Sequence, residues 1–97
     1  MITAYILKDC YYSSMAYDLL KKNKIKFKKI IVPQDEKIKL QIKNMNKMST
    51  FPQIFYQENN NPKKLKIGGY DNLCDYIEIK NMCKEKKLNK IFLKYII

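Results

Sequence analysis

Between Thr3 and Leu7 the chain is apolar at nearly every position, without the polar alternation of a half-solvated strand. This predicts a short central strand buried on both faces. Met15, Ala16, Tyr17, Leu19 and Leu20 then recur at helical spacing up to Lys22, and Asn23-Lys24 ends the run, so a helix is expected from Cys10 to Lys22. Phe27 to Val32 is β-branched and apolar enough for a second strand, which Pro33 stops. Acids at Asp35 and Glu36 suit a first helical turn, and Ile38, Ile42 and Met45 continue at helical spacing with Leu40 nearby. Gln53–Gln57 and Lys64–Ile67 read as strands of a hairpin around a polar turn, and Gly68-Gly69 breaks the chain before a helix over Tyr70–Ile79 that presents Leu73, Tyr76 and Ile77 on one face. Leu88, Ile91, Phe92, Tyr95 and Ile96 predict a last helix within Met82–Ile97, packed on the sheet.

The order is therefore βαβαββα plus a C-terminal helix, an α/β fold with a four-stranded mixed sheet flanked by helices. Right-handed crossovers are nearly obligatory, so the first two strands should be parallel neighbours. At 97 residues the chain makes one domain, residues 1–97, with a core large enough to fold without staples.

Composition changes this picture mainly by exclusion. The net charge is +11, and every cation is a lysine spread between Lys8 and Lys94. Lysine, isoleucine and asparagine number 20, 14 and 9, all with A/T-rich codons, so the charge partly reflects base composition. Base-reading sites lean on bidentate arginine, and there is none, so no specific nucleic acid is expected as a partner. The absence of histidine excludes a Ser-His or Cys-His catalytic pair and a histidine-ligated metal. No apolar run approaches the roughly 18 residues of a membrane span, and no apolar stretch behind a basic start marks a signal peptide. With three cysteines, an odd number, a reducing, cytoplasmic compartment and no membrane partner are expected.

Cys10 is where chemistry concentrates. It stands where a strand gives way to a helix, and there the free backbone N–H groups, the helix dipole and nearby Lys8 favour thiolate over thiol. Ser13 occupies the position where a dithiol motif would carry its second sulfur. Either its hydroxyl caps the helix and supports the Cys10 thiolate, or it is an inert replacement. Cys74 and Cys83 read as small buried apolar residues, with a resolving role as the alternative.

Lys8-x-Cys10-x-x-Ser13, then Thr50-Phe51-Pro52-Gln53-Ile54-Phe55, then Ile67-Gly68-Gly69-Tyr70-Asp71-Asn72-Leu73 stand in order on matching elements. Together they resemble the glutaredoxins over residues 3 to 80. The resemblance implies a thioredoxin-like fold and a glutathione site. Pro52 would be the family's cis-proline, leaving the Phe51 backbone free to pair with an extended peptide-like ligand next to Thr50. Asp71 and Asn72 would hold the γ-glutamyl end, with Gly69 allowing close approach, and Lys8 and Lys39 would meet the glycyl carboxylate. Asn72 replaces a second Asp, Phe51 replaces a valine and could narrow the approach to Cys10, and Tyr11 replaces Pro or Ser. Tyr12 matches an aromatic that shields the sulfur.

By the same resemblance the expected activity is glutathione-dependent thiol-disulfide oxidoreduction by a monothiol route. Cys10 would be the nucleophile, and glutathionylated or disulfide-containing proteins would be partners of a monomer. Two alternatives stay open. In one, two chains share a [2Fe-2S] cluster through Cys10 and two glutathiones. In the other, Tyr11 and Phe51 block the thiol and leave a non-catalytic binding module.

Overall fold

A computed structural model describes residues 1–58 and 60–84, with side chains to residue 82. Its elements run β1 (Ile2–Leu7), α1 (Tyr11–Lys22), β2 (Phe27–Val32), α2 (Glu36–Asn46), β3 (Gln53–Tyr56), β4 (Leu65–Gly68) and α3 (Tyr70–Lys84). The sheet order is β2-β1-β3-β4. β1 pairs in parallel with β2, from Ile2 opposite Phe27 to Leu7 opposite Val32, as the crossover rule requires. It pairs antiparallel with β3 over Ile2 to Tyr5, and β3 pairs antiparallel with β4 through a bulge between Ile54 and Phe55.

Because β1 is central, alternate side chains feed two cores. Ile2, Ala4 and Ile6 pack with Ala16 and Leu20 of α1, Ile54 of β3, and Leu73 and Ile77 of α3. Tyr5 turns to the other face and packs with Val32, Phe51 and Phe55. Each buried Leu or Ile contributes about 1.5–3 kcal/mol, so the first cluster, with six of them, is the principal source of stability.

Two expectations need correction. The stripe predicted for α2 is not buried: Ile38, Leu40 and Met45 are exposed, and only Ile42 packs against the second cluster. Phe51 and Met48, from the segment after α2, cover that face in their place. The break expected after Ile79 does not occur either, because α3 continues unbroken through Met82 to Lys84. The remainder of the predicted last helix, residues 85–97, lies outside the described residues.

Helix ends are closed without glycine. Asp35 caps α2, its Oδ1 accepting from Lys37 N at 2.9 Å and Ile38 N at 3.1 Å. Lys24 (φ 55°) and Lys47 (φ 53°) take the left-handed conformation after α1 and α2, where glycine is the usual residue. Ile25 N then donates to Leu20 O and Met48 N to Lys43 O, both at 3.1 Å, closing the last turns. A Cβ in that conformation costs about 1 kcal/mol. Lys24→Gly and Lys47→Gly should therefore each raise the melting temperature by about 4–8 °C for a chain of this size, read by thermal unfolding.

Candidate active site

The turn that delivers Cys10 is held from both sides. Lys8 N donates to Val32 O at 2.8 Å, Asp9 takes a positive φ of 57°, and Cys10 enters extended (φ −110°, ψ 126°) as the N-cap of α1. Ser14 N donates to Cys10 O at 3.0 Å, the first helical bond. The cysteine is a free thiol, half-buried, directly before a helix N-terminus.

Ser13 does something other than support that sulfur. It is fully buried, and its Oγ accepts from Leu7 N at 3.1 Å. β3 pairs with β1 only as far as Tyr5, so the Leu7 N–H lies beyond the ladder and the hydroxyl stands in for the missing strand partner. The helix has no side-chain N-cap bond, which corrects the expectation that Ser13 caps it.

Beside the thiol, Tyr11 (72% exposed) turns outward with its ring edge-on to Tyr12, centroids 5.4 Å apart. Tyr12 in turn stands 6.1 Å from Tyr70 of α3, so the two rings link the helices on either side of the site. Phe51 points into the second core cluster, not toward Cys10. The narrowing anticipated from Phe51 gives way to a ring that faces the core, while the Tyr11 ring faces solvent.

Between the segment before β3 and the start of α3 lies a groove of about 670 Å³. It gathers Tyr12, Thr50, Phe51, Pro52, Gly69, Asp71 and Asn72 of the expected site residues, with the Phe51-Pro52 peptide cis. Cys10, Lys8 and Lys39 stand outside its lining. The two glycines separate in role. Gly69 has room, since a Cβ there would meet Pro52 O at 3.8 Å, but Gly68 has φ 126° and a Cβ would strike Asn72 Oδ1 at 2.5 Å. Asn72 accepts from Gly69 N at 3.2 Å, closing the first turn of α3, so its carboxamide oxygen is already engaged and Asp71 carries the groove's acidic charge.

Lys39 also has internal partners. Its ammonium donates to Gln34 Oε1 at 3.1 Å and Glu36 Oε1 at 3.2 Å, while Gln34 Nε2 donates to Lys8 O at 2.7 Å. Gln34 thereby ties Lys8 and Lys39 together, a link with no local sequence signal. Gln53 is a second residue the motif reading left without a role. Fully buried at the start of β3, it accepts from Asn46 Nδ2 at 2.8 Å and donates to Met48 O at 3.2 Å, fixing the segment that walls the groove.

Electrostatics sets two tyrosines apart. Tyr70 has its phenol pushed above the ordinary value, first by a hydrogen bond with the Cys74 side chain, then by desolvation and by electrostatic repulsion from its neighbours Cys74, Asp71 and Tyr11. It stays neutral at the edge of the groove. Cys74 is a free, half-buried thiol one turn along α3, and the Cys83 side chain lies outside the described set. On the far side of α1, Tyr17 is lowered by its hydrogen bond and proximity to Lys21 and by Lys29, whose ammoniums stand 5.1 and 4.7 Å from its ring.

A cysteine at the start of α1, a cis-proline before β3 and a glycine turn into α3, on a β2-β1-β3-β4 sheet, define a thiol oxidoreductase of the thioredoxin-like fold. The glutaredoxin family model matches residues 2–59, and the chain belongs to the glutaredoxin family, whose members are glutathione-linked thiol oxidoreductases. Solved structures agree on the fold. Glutaredoxin 1 of Francisella tularensis, determined with cacodylate, superposes with a TM-score of 0.64 at 24% identity over 82% of this chain and 95% of its own. A buckwheat glutaredoxin–glutathione complex gives 0.57 at 17% identity over 96% and 76%, and the solution structure of a Brucella melitensis glutaredoxin gives 0.56 at 23% over 93% and 85%. No curated protein matches the sequence significantly. Among the described residues no helix is long and apolar enough to cross a membrane.

Proposed function

We propose that the protein reduces mixed disulfides between glutathione and protein thiols by a one-cysteine route. The observation that carries this reading is the pairing of Ser13 with Leu7 N–H: the second motif position is a structural acceptor inside the fold, so Cys10 works with no sulfur at that position. Cys10 thiolate attacks the glutathione sulfur of the mixed disulfide. A new Cys10–glutathione disulfide forms as the old S–S bond breaks, and the protein leaves as a thiolate that takes a proton. The thiolate of a second glutathione then attacks the same glutathione sulfur, giving glutathione disulfide and restoring Cys10. Net, the mixed disulfide and one glutathione thiol become a protein thiol and glutathione disulfide, so the incoming glutathione is oxidised as the protein sulfur is reduced.

The groove suits the tripeptide. Asp71 offers a carboxylate to the γ-glutamyl ammonium, the space at Gly69 admits a close backbone, and the start of α3 accepts a carboxylate. A buckwheat relative was solved with glutathione bound, which supports the same ligand here. Lys8 and Lys39, joined through Gln34, would meet the glycyl carboxylate beside Cys10, Lys39 with the N–H left by Gln34 and Glu36. A monomer in the reducing cytoplasm is the working state.

Intact mass after incubation with oxidised glutathione tests the assignment. One glutathione adduct is expected on the wild type and none on Cys10→Ser; an adduct that persists in the variant refutes it. The other arrangement open to these residues, a [2Fe-2S] cluster shared by two chains through Cys10 and glutathione, predicts a coloured dimer after anaerobic reconstitution. A colourless monomer is expected.

A further inference from the structure

The glutathione reading leaves two charged groups of the groove unused. Lys47, at the turn after α2, and Lys66, on β4, both line it. They form one feature, because Lys66 Nζ donates to Lys47 O at 3.0 Å, holding the ammonium across the rim between the edge strand and the loop. An ammonium has three N–H groups, so two remain. Among the described residues the one ion pair is Lys39 with Glu36, so neither groove lysine is held in an ion pair with a described carboxylate. The sole acid in the lining is Asp71, just beyond Gly68-Gly69 in the first turn of α3, so the two lysines outnumber the groove's acidic groups.

The glutathione reading assigns the ligand's ammonium to Asp71 and its glycyl carboxylate to Lys8 and Lys39. What is left to meet Lys47 and Lys66 is the polypeptide that carries the mixed disulfide. We propose that Lys47 and Lys66 are specificity residues for protein partners with acidic side chains next to the glutathionylated cysteine. The inference rests on the mixed-disulfide reading and adds the substrate class. A net charge of +11 draws an acidic partner toward the protein, and at this groove the anchored Lys66 ammonium meets it with its geometry already set.

Two synthetic peptides, each with a single glutathionylated cysteine, test it: one with glutamates flanking the cysteine, the other with glutamines in their place. The wild type is expected to show a kcat/KM about fivefold higher for the acidic peptide at low salt, shrinking toward one at high salt, as exposed ion pairs are screened. In Lys47→Gln/Lys66→Gln the ratio falls to near one, while Lys66→Arg, which keeps the charge, retains it. No acidic preference in the wild type, or a preference that persists in the double variant, overturns the proposal. So does a severalfold rise in KM for glutathione that accompanies no change in the peptide ratio, since the lysines would then hold the tripeptide. Should neither peptide be reduced, the mixed-disulfide reading is what has failed. Fluorescence anisotropy of the same sequences with serine for cysteine, on the Cys10→Ser protein, still tests the lysines; equal binding of both peptides overturns the proposal there too.

Discussion

Cys10→Ser is expected to lower deglutathionylation by about a thousandfold or more, because a serine hydroxyl at neutral pH is a far weaker nucleophile toward sulfur and no cysteine lines the neighbouring groove to replace it. The informative companion is Ser13→Ala. That change removes the acceptor of the Leu7 N–H in a fully buried site and should cost about 1–3 kcal/mol of stability. Its turnover at a temperature where it stays folded should remain within about threefold of wild type, since no bond between the Ser13 hydroxyl and Cys10 supports the thiol. Turnover of a glutathionylated peptide, followed beside thermal unfolding, separates the two residues. A Ser13→Ala protein as inactive as Cys10→Ser would make the hydroxyl part of the chemistry.

Gly68→Ala should be the most damaging single-methyl change in the fold. The backbone there has φ 126°, which L residues rarely adopt, and the added carbon would come within 2.9 Å of three atoms of the Asn72 side chain. Asn72 would have to leave Gly69 N–H, opening the first turn of α3 and shifting a wall of the groove. A cost of about 2–4 kcal/mol follows from the strained backbone plus the lost cap. That corresponds to a fall of about 8 °C or more in melting temperature, together with a raised KM for glutathione. Gly69→Ala is the control: with 3.8 Å to the nearest atom it should fold normally. Equal stability of the two variants would refute the distinction.

Local pattern was enough for most of the fold. The strand at Thr3–Leu7 was legible because a buried central strand is apolar on both faces, and the helix after Cys10 because Ala16 and Leu20 recur at its period. The hairpin and the turn at Gly68 followed from punctuation by Asn, Pro and Gly. α2 misled for a physical reason. Its apolar residues at helical spacing suggested a buried face, but Phe51 and Met48 arrive from the next segment and occupy the sheet surface that Ile38 and Met45 would have covered. Asn23-Lys24 marked the end of α1, but the left-handed backbone at Lys24 and Lys47 gave no signal, because lysine is not a marker of that conformation.

By itself the sequence determined the order of elements, the strand-to-helix position of Cys10, and the three motifs that resemble glutaredoxins. Those depend on side-chain period and on residues a few positions apart. Only the tertiary structure decided where the polar groups of the site point. Ser13 turns to the Leu7 N–H that β3 leaves unpaired, and Lys66 to the carbonyl of Lys47. Each choice depends on which backbone groups the sheet leaves unpaired and which loops it brings together, and neither is set until distant segments meet.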